Sequence, residues 1–345
     1  MTDAAPGLGI SHAALNDYLT THVPDFAGLL DVRKFDKGQS NPTYLITADS
    51  GPLVLRSQPA GRLLPSAHRV DREYRVMRAL ADTKVPVPSV HCLADADTSP
   101  SSRAFYVMAH LDGRIFWDPA LPDTTDRGGI YDAMNTALAA LHDVDVAQAG
   151  LSDFGKPGNY YARQLERWAG QYRASIDEPL AEMTALIDWL EQALPEDDGQ
   201  VALVHGDYRL DNMIFAPQAA DIMGVLDWEL STLGHPMADL SYQCMQWRLP
   251  NQGDMRGLGG VDRAALGLPT EADYVADYMR KRGLGSIDNW PFYLCFSFFR
   301  LAAILAGVAA RARQGNASNP EMARKYGQAV PQLAAMALAI TRDGA

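Results

Sequence analysis

HGDYRLDN, residues 205–212, lies between two short apolar runs, VALV at 201–204 and MIF at 213–215. Both runs are predicted to be buried strands, because they are short, apolar and bounded by polar segments. Placing a histidine, an arginine and several acid or amide groups beside buried strands costs free energy unless those polar groups are used there. The stretch therefore predicts a functional loop held at the edge of a folded core.

Length and composition limit the classes of protein to consider. The chain has 345 residues, more than a single hydrophobic core usually holds, which predicts two lobes. Its 47% apolar and 21% charged residues are ordinary for a globular protein. The net charge of −12 argues against nucleic acid or an anionic membrane as a partner, since phosphate groups are bound by clustered lysines and arginines.

The cysteines and the apolar segments indicate where the protein works. Three scattered cysteines without CxxC spacing predict neither a disulfide framework nor a thiolate metal site. We see no secretory signal and expect a cytoplasmic protein. The most apolar run, residues 292–310, has Arg300 at its middle, where a charge would cost about 2.5–3.5 kcal/mol on membrane-insertion scales. We therefore expect a buried helix there and no membrane span.

Two patterns of periodicity divide the chain. After an amphipathic helix over 11–30, the first part gives about five strands and one helix by residue 112, with the helix over 66–82. The second part is dominated by predicted helices, over 126–148, 159–175, 178–194, 270–282, 290–313 and 319–341. We expect an α+β protein with an N-terminal helical segment over 1–30, an N-lobe over 31–112 and a helical C-lobe over 113–345.

The acids in and after the quoted stretch have a spacing that suits phosphoryl transfer. Asp207 and Asn212 are followed by Asp227, and a hairpin-like gap between two predicted strands would make those strands antiparallel and bring Asn212 and Asp227 together. One carboxylate can then deprotonate an attacking hydroxyl while an amide and a second carboxylate hold Mg²⁺. The spacing equals that of the protein-kinase catalytic loop.

Two other classes of function use similar residues. His205, Asp207, Asp227 and His235 have the side chains of a metal-dependent hydrolase, in which the metal activates a bound water. No HxH or HExxH spacing supports that class, and it leaves the first lobe unexplained. A nucleotide-binding regulator without catalysis usually lacks the base or a metal ligand, and here none of the three is missing.

Longer motifs carry a family resemblance. HGDYRLDNMIF, followed by GVLDWELSTLGHPMADLSY, resembles the aminoglycoside phosphotransferase and choline kinase group, relatives of protein kinases that phosphorylate small molecules. The match is closer to the kinase-like domains associated with certain acyl-CoA dehydrogenases, and covers about residues 30–245. The resemblance implies a two-lobe protein-kinase-like fold, with a small antiparallel-sheet N-lobe that binds nucleotide and a mainly helical catalytic C-lobe.

In the catalytic loop, the resemblance implies specific roles. Asp207 would be the catalytic base, and Asn212 and Asp227 would ligate Mg²⁺. Asp239 would support the loop structurally. For His205 we expect, from the residue type alone, a structural hydrogen bond inside the loop in preference to a metal or proton-transfer role. The cofactors implied are ATP and Mg²⁺, and the activity implied is transfer of the γ-phosphoryl group to a hydroxyl of a small molecule.

The N-lobe motifs imply a nucleotide site. Arg56 would occupy the place of the strand lysine that holds the phosphates, and Glu73 would be its partner on the helix. The loop DKGQSNP would cover the phosphates, and the segment from Met108 to His110 would pair with adenine. The residues of the loop that would contact the nucleotide are Gly38, Ser40 and Asn41. The sequence departs from the family pattern in having one glycine in this loop and an arginine in place of lysine.

The segment GNYYARQLERWAGQYRAS indicates the kind of acceptor. In this group such a helix would line the acceptor site, and here it carries Arg163 and Arg167 one turn apart. Two arginines would repel a polycationic aminoglycoside, although an aminoglycoside-type antibiotic kinase remains the alternative within the family. The same pattern also fits a solvated basic face. If the arginines are functional, we expect them to meet a carboxylate or the phosphates of coenzyme A, so that the acceptor is a hydroxy acid or a hydroxyacyl thioester.

Overall fold

The computed structural model describes residues 3–35, 41–61, 68–253, 255–314 and 320–343. The chain forms two compact units. Unit 1 comprises Met1–Phe116, Val146–Leu151 and Leu210–Ser231, and unit 2 comprises Trp117–Asp145, Ser152–Arg209 and Thr232–Ala345. The division between Arg209 and Leu210 falls inside the stretch HGDYRLDN.

Unit 1 is built on an antiparallel sheet of five strands, in the order β1-β2-β3-β5-β4. The strands are β1 (Leu29–Lys34), β2 (Thr43–Ala48), β3 (Leu53–Ser57), β4 (Val90–Ala94) and β5 (Phe105–Ala109). Turn-forming residues separate β2 from β3, and every second residue of β2 is buried, as expected when one face of a strand packs on a core. The five predicted strands and the α+β class are confirmed.

One face of this sheet is covered by the N-terminal helix α1 (His12–His22). Leu15 and Leu19 of α1 belong to the same buried core as Ile46 and Val107 of the sheet. The predicted helix over 11–30 is too long, because Pro24 disfavours helical geometry in the residue before it and the chain already enters β1 at Leu29. The N-terminal segment therefore contributes to the core of unit 1.

The helix α2 (Val70–Leu80) covers the other face of the sheet. Val107 belongs to the core beneath α1, whereas its neighbour Tyr106 bonds Glu73 of α2, as expected when successive strand residues point to opposite faces. α2 buries Val76, Met77 and Leu80 at helical spacing. This face of the sheet carries the first part of the candidate site.

Unit 1 also contains a short hairpin of β7 (Met213–Phe215) and β8 (Ile222–Val225). The two strands are antiparallel, as predicted, and Met213 pairs with Val225. Short 3-10 turns flank the hairpin at Leu210–Asn212 and Trp228–Leu230. The hairpin thus brings the backbone at Asn212 close to the backbone that leads to Asp227.

Unit 2 is mainly helical. Its elements are α3 (Arg127–His142), α4 (Tyr160–Ser175), α5 (Ala181–Gln192), α6 (Met237–Met245), α7 (Arg263–Leu266), α8 (Glu271–Arg282), α9 (Trp290–Arg313) and α10 (Pro320–Asp343), with the strand pair β6 (Ala202–Val204) and β9 (Thr232–Gly234). The six predicted helices are present. α6 lies outside the predictions because all of its residues are buried, so it has no polar face to reveal a helical period.

Helix α9 contains the apolar run around Arg300. By length and composition it could cross a membrane, but 83% of its most apolar window is buried within the protein. It packs on α4, α6 and α10 of the same unit. The interpretation of this segment as a buried core helix is confirmed.

Candidate active site

A cluster of charged side chains lies on the α2 face of the sheet in unit 1. Arg56 on β3 pairs across the sheet with Tyr106 on β5, so both side chains point toward α2. Arg56 Nε lies 3.0 Å from Oε2 of Glu73, and Arg56 Nη2 lies 2.6 Å from Oδ1 of Asp227. Sequence reasoning predicted the Arg56–Glu73 pair, and the structure adds Asp227 to it.

Glu73 is the most buried member of this cluster. Its side chain is 1% exposed, and its carboxylate accepts hydrogen bonds from Asn41 Nδ2 at 2.9 Å and from the hydroxyl of Tyr106 at 3.2 Å. Burial raises the pKa of Glu73 to about 7, although the Arg56 charge opposes the rise. Asn41 was predicted to contact the nucleotide. It is 2% exposed, and its side-chain amide donates to Glu73.

Asp227 is held in an unusual backbone conformation. Its φ angle is 63°, in the left-handed region that a non-glycine residue enters at a cost, and it begins the 3-10 turn after β8. The N–H of Leu226 donates to the carbonyl of Asn212 at 2.8 Å. The two predicted metal ligands therefore come from neighbouring backbone segments, and the conformation of Asp227 fixes the direction of its carboxylate.

The carboxylates in this cluster suit a hard cation. One oxygen each of Glu73, Asp227 and Glu229 lies within 4.8 Å of the others. Mg²⁺ prefers oxygen ligands, so the oxygens of Asp227 and Glu229 fit the metal that the resemblance implies, whereas Glu73 is paired with Arg56. Glu229 was missed by sequence reasoning, and its signal was its position two residues after Asp227. His205 and His235 do not belong to this carboxylate group, which is the one metal-sized cluster in the described part of the chain.

In unit 2, Asp239 anchors the loop that carries Asp207. Asp239 is fully buried and accepts the backbone N–H of His205 at 2.6 Å and that of Gly206 at 2.8 Å. The N–H of Asp207 donates to Nδ1 of His205 at 3.2 Å. Gly206 has a φ angle of +84°, which favours glycine at this bend. The structure thus places His205 and Asp239 beneath the predicted catalytic base.

Behind Asp239 lies a chain of buried polar groups. Nε2 of His142 lies 3.3 Å from Oδ2 of Asp239, and Nδ1 of His142 lies 2.6 Å from the hydroxyl of Tyr278. Arg282 donates to that hydroxyl at 3.0 Å. Burial lowers the pKa of His142, which keeps the ring neutral, so Nε2–H donates to Asp239 while Nδ1 accepts from Tyr278.

The charge on Asp239 is kept by its partners. Burial acts to raise the pKa of Asp239, but the hydrogen bonds from His142 and from the N–H of Gly206 outweigh it and lower the pKa. A buried carboxylate with this many donors stays ionised and rigid. Sequence reasoning found Asp239 but missed His142 and Tyr278, whose contacts come from α3 and α8, far away in the chain.

Asp207 itself has a second neighbour in Tyr242 of α6. The hydroxyl of Tyr242 hydrogen-bonds the Asp207 carboxylate; burial of Tyr242 raises the pKa of this hydroxyl, and the Asp207 charge adds to the rise. Tyr242 therefore remains a donor, which can fix the orientation of the carboxylate. Tyr242 was not predicted, because nothing in the motif around Asp207 indicates which residue of a buried helix contacts it.

The remaining predicted residues belong to β5, to the segment just after it and to α4, or lie outside the described residues. Met108 is buried on β5 two residues from Tyr106, hence on the same face, and His110 follows β5 and is half-buried. Gly38 and Ser40 lie outside the described residues. On α4, Arg163 Nη2 donates to the carbonyl of Lys156 at 2.6 Å. Arg167 is exposed, with its guanidinium 5.2 Å from the ring of Trp168.

Comparisons with known proteins agree with this geometry. A model of the phosphotransferase enzyme family, APH, matches residues 31–277. Mouse acyl-CoA dehydrogenase family member 10 is 44% identical over 337 residues, which are 96% of this chain and 31% of the mouse protein. The chain spans less than half the length of the curated relatives it matches, with shares between 31% and 43%.

Solved structures show the same relationship. A crystal structure from Ralstonia eutropha JMP134, provisionally assigned as an aminoglycoside phosphotransferase, is 44% identical, with a TM-score of 0.87 over 96% of this chain and 98% of that one. The aminoglycoside phosphotransferase APH(4)-Ia, in a ternary complex with AMP-PNP and hygromycin B, shares the fold, with a TM-score of 0.62, 16% identity and coverage of 96% and 99%. The chain therefore belongs to the phosphotransferase enzyme family, APH, and has the kinase-like fold of the aminoglycoside phosphotransferases.

Proposed function

We propose that this chain is a kinase that uses ATP and Mg²⁺ to phosphorylate a hydroxyl group of an anionic small molecule, a hydroxy acid or a hydroxyacyl thioester. The observation that supports this most is the cluster in which Arg56 bridges Glu73 and Asp227. Phosphotransfer in this fold class depends on a cation held by a helix carboxylate beside a metal-binding aspartate. Membership of the phosphotransferase family supports the same activity.

Each charged residue has a role in this proposal. Asp207 accepts the proton of the attacking hydroxyl, with its carboxylate oriented by the hydroxyl of Tyr242. Asn212 and Asp227 hold Mg²⁺, which neutralises charge on the phosphates when it is bound. Arg56, fixed by Glu73, binds the phosphates with its guanidinium, a group that pairs well with phosphate oxygens. Asp239 keeps the catalytic loop rigid, since correct positioning supplies much of the rate in phosphoryl transfer.

Two observations favour an anionic acceptor. Helix α4 carries Arg163 and Arg167 with no carboxylate partner for either among the described residues. In addition, the mouse relative described above is named an acyl-CoA dehydrogenase family member, which points to acyl compounds as the chemical class. Arginine binds carboxylates and phosphates bidentately. It therefore suits both the carboxylate of a hydroxy acid and the phosphates of a hydroxyacyl coenzyme A thioester.

Charge reversal on α4 tests the acceptor class. In an Arg163→Glu, Arg167→Glu double variant we expect the KM of an anionic acceptor to rise steeply and the KM of ATP to change little. Arg173→Glu is the matched control, because Arg173 lies on the same helix and is exposed. An unchanged acceptor KM would exclude the α4 arginines from acceptor binding.

Aminoglycosides are the second candidate acceptors, because the relative from Ralstonia eutropha carries that provisional assignment. The comparison is direct: the wild type is offered kanamycin-like compounds and hydroxy acids under the same conditions, and phosphate transfer to each is measured. If aminoglycosides are phosphorylated efficiently and the anionic compounds are not phosphorylated, the proposed acceptor class is contradicted and the proposed kinase activity is supported.

A further inference from the structure

Arg72, in the first turn of α2, joins that helix to the backbone that follows Asp227. Its Nη2 donates to the carbonyl of Ser231 at 3.1 Å, and Ser231 comes directly after the 3-10 turn Trp228–Leu230. Helix α2 also packs on this turn, and both elements belong to unit 1. Because Arg72 precedes Glu73 in the chain, this bond is made one residue away from the buried carboxylate of the charged cluster.

The turn that receives this bond is held rigid by its own contacts. The side chain of Trp228 is fully buried, and its ring N–H donates to the carbonyl of Val225 at 3.0 Å. The hydroxyl and the backbone N–H of Ser231 both donate to the carbonyl of Trp228, at 2.6 and 3.1 Å. Asp227 lies at the start of this turn and Ser231 at its end. A displacement of the Ser231 carbonyl is therefore transmitted to the backbone of Asp227.

The carboxylates of the cluster repel one another until a cation binds. One oxygen each of Glu73, Asp227 and Glu229 lies within 4.8 Å of the others, and the guanidinium of Arg56 balances one of these three charges. Glu73 is on α2, whereas Asp227 and Glu229 belong to the turn. The repulsion therefore acts to separate α2 from the turn, and the bond from Arg72 to Ser231 connects these same two elements.

We propose that Arg72 is a positioning residue for the nucleotide site. By bonding the Ser231 carbonyl it holds α2 against the turn, and so keeps Glu73 and Asp227 at the separation that Arg56 bridges, before Mg²⁺ and nucleotide bind. This inference rests on the proposed function and adds Arg72, which the motifs did not indicate. A charged donor makes a stronger hydrogen bond than a neutral one. A site that is already ordered loses less free energy when it binds its ligand.

Calorimetry with AMP-PNP over a series of Mg²⁺ concentrations tests this role. Arg72→Met removes the donor and keeps an apolar stem, and at limiting Mg²⁺ we expect its Kd for the nucleotide to rise about 10-fold or more, the loss of a charge-assisted hydrogen bond. Excess Mg²⁺ should recover most of the affinity, because the bound cation replaces repulsion between the carboxylates with attraction. Arg72→Lys keeps a charged donor, so its Kd should lie between those of the wild type and Arg72→Met.

Amide hydrogen exchange in the metal-free protein is a second readout, which needs neither nucleotide nor turnover. Arg72→Met should exchange faster than the wild type both in α2 and over residues 226–232, because the two elements lose the bond that joins them. Arg75→Met is the matched control, since Arg75 lies one turn further along α2 and its Nη2 also donates to a backbone carbonyl, that of Gly150, at 2.8 Å. Gly150 is not part of the charged cluster. Arg75→Met should therefore leave both the nucleotide affinity and the exchange over 226–232 unchanged.

The outcomes separate this inference from the proposed function. If Arg72→Met binds AMP-PNP as tightly as the wild type at limiting Mg²⁺, the role of Arg72 is overturned and the proposed kinase activity is unaffected. An equal loss of affinity in Arg75→Met, or a loss in Arg72→Met that excess Mg²⁺ does not recover, also overturns it.

Hydrogen exchange decides the case in which the wild type binds no nucleotide and the proposed function fails. Faster exchange over 226–232 in Arg72→Met, but not in Arg75→Met, then supports the link between α2 and the turn, and equal exchange in the wild type and Arg72→Met overturns it. If Arg72→Met does not fold, Arg72→Lys supplies both measurements.

Discussion

Replacing Asp239 with asparagine is expected to destabilise the protein by about 3–5 kcal/mol. Each of its two carboxylate oxygens accepts one backbone N–H, from His205 at 2.6 Å and from Gly206 at 2.8 Å. Asparagine has a single acceptor oxygen, so its NH₂ group would face one of these donors. The change loses a charge-assisted bond, worth about 1.5–3 kcal/mol, and leaves a buried N–H unsatisfied, at about 1–3 kcal/mol.

Urea unfolding and steady-state kinetics measure the two consequences of this change. The free energy of unfolding should fall by about 3–5 kcal/mol. The value of kcat should fall strongly while the KM of ATP changes little, because the loop beneath Asp207 loses its anchor. Asp188→Asn, at an exposed position on α5, should change stability by no more than about 0.5 kcal/mol. A stability change below about 1 kcal/mol in Asp239→Asn, with normal kcat, would refute the role of Asp239 as the anchor.

Two further predictions concern the metal cluster and the buried histidine. Asp227→Ala removes the carboxylate that bonds Arg56, and calorimetry should show loss of Mg²⁺-dependent nucleotide binding; unchanged affinity with Mg²⁺ present would show that Asp227 is not a ligand. Burial lowers the pKa of His142 below its ordinary 6.5, so on acidification the unfolded chain takes up a proton first and the free energy of unfolding falls. Between pH 6.5 and 5.5, the free energy of unfolding should fall less in His142→Asn than in the wild type, by up to about 1.4 kcal/mol. Equal falls in the wild type and the variant would show that His142 is not the buried neutral group.

The parts of the fold that follow local patterns were predictable from the sequence. The strands of unit 1 and the long amphipathic helices of unit 2 have clear periodicity. The turn residues between β7 and β8 predict the hairpin before Asp227. Where every residue of a helix is buried, as in α6, the sequence shows no helical period, and the helix cannot be predicted from it. The end of α1 was misplaced because the effect of Pro24 on the preceding residue outweighed the helical pattern.

Residues of the candidate site were predictable when a short motif carries them. Asp207, Asn212 and Asp227 belong to such motifs, and Arg56 with Glu73 follows from strand and helix positions. His142, Tyr242 and Tyr278 have no motif, because each contacts the site through side-chain packing between helices distant in sequence. Arg300 was visible in the sequence only as a charge in an apolar helix. Its aromatic neighbours, Trp168 and Tyr242, required the structure.

The most direct test of the proposed kinase activity follows the γ-phosphoryl group itself. ATP labelled with ¹⁸O in the γ-phosphate is incubated with Mg²⁺ and a mixture of hydroxy acids, and the products are analysed by mass spectrometry. We expect wild-type protein to give a labelled phosphate ester of the acceptor. Asp207→Asn should bind Mg²⁺ and nucleotide normally but give no ester. Release of labelled inorganic phosphate alone, or ester formation by Asp207→Asn at the wild-type rate, would contradict transfer to a hydroxyl activated by Asp207.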